Sequence, residues 1–300
     1  MIKKPNKVLV VTGEGIGNII QIIPTIRTIK EILLYDVDLW ISSSSYPIPS
    51  SLFKYINCCY SGSEIYSADV SNYTGFVSAN WSYNYIKLLT NRGLICLSDF
   101  RPVSIKESEV DTYMYMARKL GVKDEDILWY GECNYTPVLE GYDVVIHDGF
   151  NRKSAVSSTW SLKSYPYYKD VSKDLISMGY KVCSVGSCDE YIEGTIDKTG
   201  LDLMVTLGVI KNSKLFLGND SGLYHCANAL GTDNIVVFTF TSTIKNHDSR
   251  FHKYSTIIQN DSLSCLNCQN TSRFKSCTTR ECRNIDPKII INKVLERLNG

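Results

Sequence analysis

The sequence predicts an α/β protein made of two Rossmann-like domains in series, their parallel sheets facing across a cleft. Three observations carry this prediction. Short β-branched strands alternate with amphipathic helical stretches along most of the chain, as in parallel sheets covered on both faces. That alternation restarts after a stretch with Gly131 and Gly141 at its ends and Pro137 inside, which reads as a linker. The chain has 300 residues, 44 % hydrophobic and 21 % charged, enough for two cores at about 150 residues each.

The first unit begins with a strand at residues 7–11, Lys-Val-Leu-Val-Val, and the turn Thr12-Gly13-Glu14-Gly15-Ile16-Gly17-Asn18. A helix over 19–34 follows, with Ile19, Ile22, Ile23, Ile26, Ile29 and Leu33 on one face. Pro24 lies in its second turn and predicts an irregular start or a kink, because proline has no N–H to donate. Residues 38–41 form the second strand, and the serines and prolines of 42–49 a loop. A further helix over 111–120 stops at Gly121.

In the second half, residues 143–147 open a new sheet and a helix spans 167–178. The strand 181–185 runs into the turn Gly186-Ser187, and a helix covers 204–211. The strand 214–217 meets Gly218-Asn219-Asp220-Ser221-Gly222, which opens a helix ended by Gly231. Residues 235–238 are another buried strand and 287–298 the last helix. The predicted divisions are 1–136, 137–285 and a terminal segment 286–300.

Composition narrows the function. Lys and Arg total 32 against 31 Asp and Glu, a net charge of +1 with no run of one sign. Nucleic acid, which selects a basic stripe, is therefore not an expected partner. No stretch approaches the ~20 apolar residues of a membrane span, and residues 1–6 lead into a strand without an apolar leader core. A soluble, cytoplasmic protein is expected. Eleven cysteines, an odd number, do not suggest a secreted disulfide framework.

The strongest chemical signal is residues 217–225, Leu-Gly-Asn-Asp-Ser-Gly-Leu-Tyr-His. A strand ends, Asp220 or Ser221 caps a helix, and the first backbone N–H groups are left for an anion such as phosphate. Gly222 permits close approach, and His225, one turn in, can donate to the same anion. The plainer reading is a capped helix with a core histidine. The loop Gly13-x-Gly15-x-Gly17 resembles a dinucleotide fingerprint with Asn18 in place of its third glycine. Residues 158–166, Ser-Thr-Trp-Ser-Leu-Lys-Ser-Tyr-Pro, offer hydroxyls and one lysine, suited to a diphosphate. Cys265-x2-Cys268-x8-Cys277-x4-Cys282 suits tetrahedral thiolate coordination of structural Zn or Fe. Free thiols and a disulfide pair are the alternatives.

The order of these motifs resembles glycosyltransferase family 9, the lipopolysaccharide heptosyltransferase group with the GT-B fold. The matching stretches are Gly15-Ile16-Gly17-Asn18 with Pro24 and Arg27, Lys163-Ser164-Tyr165-Pro166, Gly186-Ser187-Cys188-Asp189-Glu190, and Asp220-Ser221-Gly222-x-x-His225-x-x-Asn228-Ala229-Leu230-Gly231. The resemblance implies an inverting transferase needing no metal for its chemistry. Its donor, a nucleotide-diphosphate sugar carrying a heptose or hexose, would bind the C-terminal domain; its glycan or protein acceptor would bind the N-terminal domain. The donor-binding set would be Gly15, Gly17, Asn18, Ser158, Thr159, Lys163, Glu190, Leu201, Asp220, Ser221, Gly222 and His225. Glu190 would hold the ribose, and Leu201 would lie against the base. The cysteine segment is similar to the iron-binding finger of the autotransporter heptosyltransferases, and the last helix is expected to cross back to the N-terminal domain.

One position departs from the family. Its heptosyltransferases carry an aspartate, the general base, where this chain has Asn18, and an amide cannot take a proton. Glu14, in the same loop, is the expected catalytic replacement, with Asp99 and Asp111 as other carboxylates of the domain. Two further readings follow: a nucleotide-sugar-binding protein without transferase activity, and a nucleotide-sugar epimerase of similar shape.

Overall fold

The structure is a computed structural model and describes residues 6–44, 46–78, 83–98, 106–150, 160–269 and 271–300. It divides into two compact units, Met1–Asn134 and Tyr135–Gly300.

The N-terminal unit holds a parallel sheet of β1 (Lys7–Glu14), β2 (Asp36–Ser44), β3 (Cys58–Ser61) and β4 (Gly75–Ser78), in the order β3-β2-β1-β4. β1 is central, and Val8, Leu9, Val10 and Val11 are all buried, as an apolar run covered on both faces should be. The helix predicted over 19–34 is two helices, α1 (Ile16–Gln21) and α2 (Ile23–Ile32). Pro24 lies in the first turn of α2, where a missing N–H costs least; it cannot donate to the α1 carbonyl four residues back. α3 (Tyr83–Asn91) and α4 (Glu109–Lys119) complete the unit. Ser108 caps α4, its Oγ accepting from the Asp111 N–H at 3.0 Å, and Gly121 leaves the helix at φ +102°. α4 packs on α1 and α2.

The C-terminal unit has six parallel strands: β5 (Tyr142–His147), β6 (Val182–Gly186), β7 (Ile196–Thr199), β8 (Ser213–Asn219), β9 (Asn234–Val237) and β10 (Ser255–Ile258). Their order is β10-β9-β8-β5-β6-β7. The chain builds outward from β5 through β6 to β7, then returns to β8 on the other side of β5. The carboxyl ends of β5 and β8 therefore form a topological switch point, where open parallel sheets bind ligands.

The helices are α5 (Tyr168–Ser177), α6 (Leu203–Lys211), α7 (Gly222–Ala229), the short α8 (Thr243–Asn246) and α9 (Ser272–Ser276), and α10 (Pro287–Asn299). α10 buries Ile290, Ile291 and Val294 in the core formed by α5, β5 and β8. These three residues form its apolar face. All eleven cysteines are free thiols. Among the described residues no helix is long and apolar enough to cross a membrane.

Candidate functional site

The switch point gathers most of the described residues marked in the C-terminal sequence. β8 delivers Asn219, Asp220 and Ser221 to the start of α7. Ser221 occupies the N-cap position, yet its side chain makes no capping bond. Its Oγ instead meets His147 Nδ1, at the end of β5, at 3.0 Å. The expected side-chain cap is therefore absent, and the first N–H groups of α7, which lack intrahelical acceptors, have no partner among the described residues, so the positive end of the helix suits an anion.

Asn219 fixes the turn from beneath. Its Oδ1 accepts from the Tyr165 N–H at 3.1 Å and the Tyr168 hydroxyl at 3.0 Å. This anchors the Lys-Ser-Tyr-Pro stretch beside the helix start. Asp148 accepts from Ser164 Oγ at 2.7 Å, and burial raises its pKa although this bond works in the opposite sense.

Lys163 Nζ stands 3.3 Å from Asp220 Oδ2 and 4.9 Å from the centre of the Trp160 ring. Asn246 donates to the same Asp220 oxygen at 2.8 Å. Asp220 Oδ2 thus holds one cation and one amide, Lys163 and Asn246.

His225 is part of a chain. The Asp248 N–H donates to His252 Nδ1 at 2.9 Å, and His252 Nε2 lies 2.8 Å from His225 Nδ1. A neutral imidazole has one donor and one acceptor nitrogen. His252 Nδ1 also lies 3.2 Å from the Asp248 carbonyl oxygen; with Nδ1 as the acceptor of the shorter contact, His252 carries its proton on Nε2 and His225 on its own Nε2. Burial holds both rings well below the usual value, assisted by the nearby Lys163 and His247 charges at His225 and by the other histidines at His252. His225 Nε2 is 3.7 Å from Asp220 Oδ1, beyond hydrogen-bond length, and its N–H remains available.

Glu190 lies on the other flank. Its Oε2 accepts from the Ser187 N–H at 2.8 Å and sits 3.4 Å from His147 Nε2. Two glycines make room: a Cβ on Gly149 would stand 2.1 Å from His147 Nε2, and one on Gly186 2.2 Å from Glu190 Oε2. Leu201 is 39 % exposed. It follows Gly200, whose N–H bonds to Gly186 O at 2.8 Å, so an apolar side chain is displayed at the surface near Glu190.

The structure thus brings Lys163, Glu190, Asp220, Ser221, Gly222 and His225 into one region, with Leu201 at its border. Ser158 and Thr159 lie outside the described residues. His147, Asp148, Asn246 and His252 are additions; only a histidine closing a buried strand gave a local signal for His147.

Gly15, Gly17 and Asn18 form a separate group in the N-terminal unit. Gly15 is the N-cap of α1, a helix of six residues, too short for an anion site of its own. Asn18 Nδ2 donates to Glu109 Oε1, a carboxylate 91 positions away in sequence. Glu14 ends β1, but its side chain is outside the described residues, as is Asp99. Asp111 is paired with Arg118 at 3.0 Å.

Cys265, Cys268, Cys277 and Cys282 lie near one another. Burial first, then the neighbouring thiols, raises the Cys268 pKa and pushes Cys282 up to about 11. Among the described residues no group of three or more His, Cys, Asp or Glu is arranged to hold a metal ion. As placed, the four thiols are not a coordination set.

Residues 150–278 match glycosyltransferase family 9 (heptosyltransferase). No curated protein matches significantly. ADP-heptose lipopolysaccharide heptosyltransferase II of E. coli is 15 % identical with a TM-score of 0.72, over 97 % of this chain and 98 % of that one. A family 9 glycosyltransferase of Veillonella parvula is 13 % identical with a TM-score of 0.74, over 99 % and 98 %. The iron-containing dodecameric glycosyltransferase TibC of enterotoxigenic E. coli is 16 % identical with a TM-score of 0.67, over 99 % and 76 %. TibC has also been solved with ADP-D-β-D-heptose. Two parallel sheets flanked by helices, shared end to end with these structures, constitute the GT-B fold. The family match lies within its C-terminal unit, and over its whole length the chain shares the fold of these structures: it is heptosyltransferase-like.

Proposed function

We propose that the chain is an inverting, cytoplasmic transferase that moves a heptose or hexose from a nucleotide diphosphate to a hydroxyl of a glycan or protein. The C-terminal unit holds the donor and the N-terminal unit the acceptor. One observation carries the reading: α7 begins without a side-chain cap, and Lys163 and the His225 Nε2–H stand beside that open start.

Glycosyl transfer builds negative charge on the departing diphosphate. Preorganised donors aimed at that charge lower the barrier without reorganising. The α7 amides, Lys163 and His225 are such donors, and Asp220 holds Lys163 in place until the diphosphate competes for it. Glu190 is proposed for the ribose hydroxyls and Leu201 for the face of the base. Gly15 and Gly17, half-buried, follow the end of β1 without side chains to cover their backbone. The acceptor hydroxyl must lose its proton, and two carboxylates belong to that end of the N-terminal unit: Glu14 in the loop and Glu109 bonded to Asn18. The free thiols suit a reducing compartment.

The cysteine segment is proposed as a structural Zn or Fe site that needs the four thiols to draw together. The iron of TibC motivates this, and metal analysis of purified protein tests it.

The donor reading is tested by thermal shift with nucleotide diphosphates and nucleotide sugars, beginning with ADP and ADP-heptose. A ligand at 100 times its Kd stabilises by about 2.7 kcal/mol. Product analysis then separates transfer from the other readings. Binding without turnover would leave a nucleotide-sugar-binding protein, and an isomerised sugar formed without acceptor would indicate an epimerase.

A further inference from the structure

The N-terminal unit contains a carboxylate that the motif order does not point to. Glu109, in the first turn of α4, is only 4 % exposed. Among the described residues no cation is paired with it, and a buried glutamate so placed is uncommon and needs hydrogen-bonding partners. Here Oε1 has two: Asn18 Nδ2 from the glycine loop and the Tyr113 hydroxyl at 2.7 Å, one turn along α4. Asn18 Nδ2 also lies 3.4 Å from the Tyr113 oxygen, so the three groups form a closed triangle. Among the described residues no donor reaches Oε2.

The polar character extends past the triangle. Gln21, one turn after Asn18, and Thr12, near the end of β1, are each 2 % exposed. The Gln21 Oε1 and Thr12 Oγ1 atoms have no hydrogen-bond partner among the described residues. Buried polar atoms left unpaired are rare in folded proteins, and each calls for an explanation such as a ligand or water. Buried polar groups thus occur at the end of β1, in α1 and at the start of α4, with one fixed carboxylate among them.

We infer that Glu109 is the proton acceptor of the transfer reaction, held by Asn18 and Tyr113. This rests on the donor reading above. An asparagine in the loop cannot accept the proton, but its amide can do what an aspartate there could not: donate to a carboxylate and hold it. With Oε1 occupied by two donors, the lone pairs of Oε2 face the hydroxyl. As the acceptor oxygen bonds to the anomeric carbon, its proton passes to Glu109 Oε2. The bond from that carbon to the diphosphate breaks, and its electron pair leaves with the diphosphate. Tyr113 and Asn18 are positioning residues in this arrangement.

The test compares wild type, E109Q, E14Q and N18D/E109Q for ADP release from ADP-heptose with water as the acceptor, alongside the melting shift each gains from ADP. E109Q keeps the shape of the side chain. It is expected to lose at least ~100-fold in ADP release, the range of a general base, while keeping the wild-type ADP shift. N18D/E109Q exchanges amide and carboxylate within the same pair, and is expected to recover release to within about tenfold of wild type. E109Q within threefold of wild type overturns the inference, as does loss of release in E14Q alone. So does a double variant that binds ADP yet stays as slow as E109Q. A wild type that shows no ADP shift removes the donor reading itself, and the base with it; a wild type that shifts but never releases ADP removes only the base.

Discussion

His225 can offer a proton to an anion because His252 occupies the other side of its ring. The backbone of Asp248 fixes His252, and His252 fixes His225, so the tautomer of the His225 ring is set from nearly thirty residues away. Burial keeps both rings neutral, and this gives a pH dependence with a definite sign. In the unfolded chain each histidine titrates near 6.5; in the folded chain each titrates far lower. Below about pH 6.5 the unfolded state binds more protons, so stability falls as pH falls, by about 1.4 kcal/mol per unit for each histidine. Urea midpoints between pH 5 and 8 should decline on the acid side, and the double variant H225N/H252N should flatten that decline. A wild-type midpoint indifferent to pH over this range contradicts the assignment. At Lys163 the expected effect is on affinity: a charge-assisted bond contributes about 1.5–3 kcal/mol, so K163A should weaken ADP by about 10- to 100-fold in calorimetry.

The elements that form the site were legible in the sequence to different degrees, for physical reasons. β8 and α7 were visible because an apolar run, a glycine turn and a helical repeat lie next to one another in the chain. β3, β4, β7 and β10, each four residues long, are too short to show a period. The break between α1 and α2 was visible as Pro24, its exact form was not. The direction of the Ser221 side chain was not legible, since its partner His147 belongs to another strand 74 positions away. Asn18 announced a missing carboxylate, while its partner Glu109 is brought to it only by α4 packing on α1.

Two glycines offer a test at this scale. Gly186 has φ +128° and its Cβ would strike Glu190, whereas Gly194 has φ +92° with nothing within 4 Å. Both alanine variants incur backbone strain of about 1 kcal/mol or more; only G186A must also displace the buried carboxylate. Denaturation should therefore show G186A as the less stable, by a further ~1–3 kcal/mol for the disrupted bonds, with ADP binding weakened in G186A alone. Equal losses would mean that Glu190 is not held as described.

For the whole molecule, the proposed function puts the donor in the unit Tyr135–Gly300 and the acceptor chemistry in Met1–Asn134, so substitutions should separate into two classes. Changes at Lys163, His225 or Glu190 should alter nucleotide affinity, and changes at Glu109 should alter turnover with affinity preserved. The four C-terminal thiols add a third property. If they close on a metal, purified protein should contain about one Zn or Fe per chain, and a chelator should lower its melting temperature. Metal-free protein with four reactive thiols would rule the site out. The donor site itself is most directly tested by titrating ADP into the wild-type protein and K163A by calorimetry. The account predicts one ADP site per chain, weakened at least tenfold in K163A; saturable binding that is unchanged in K163A, or no binding of any nucleoside diphosphate, would contradict it.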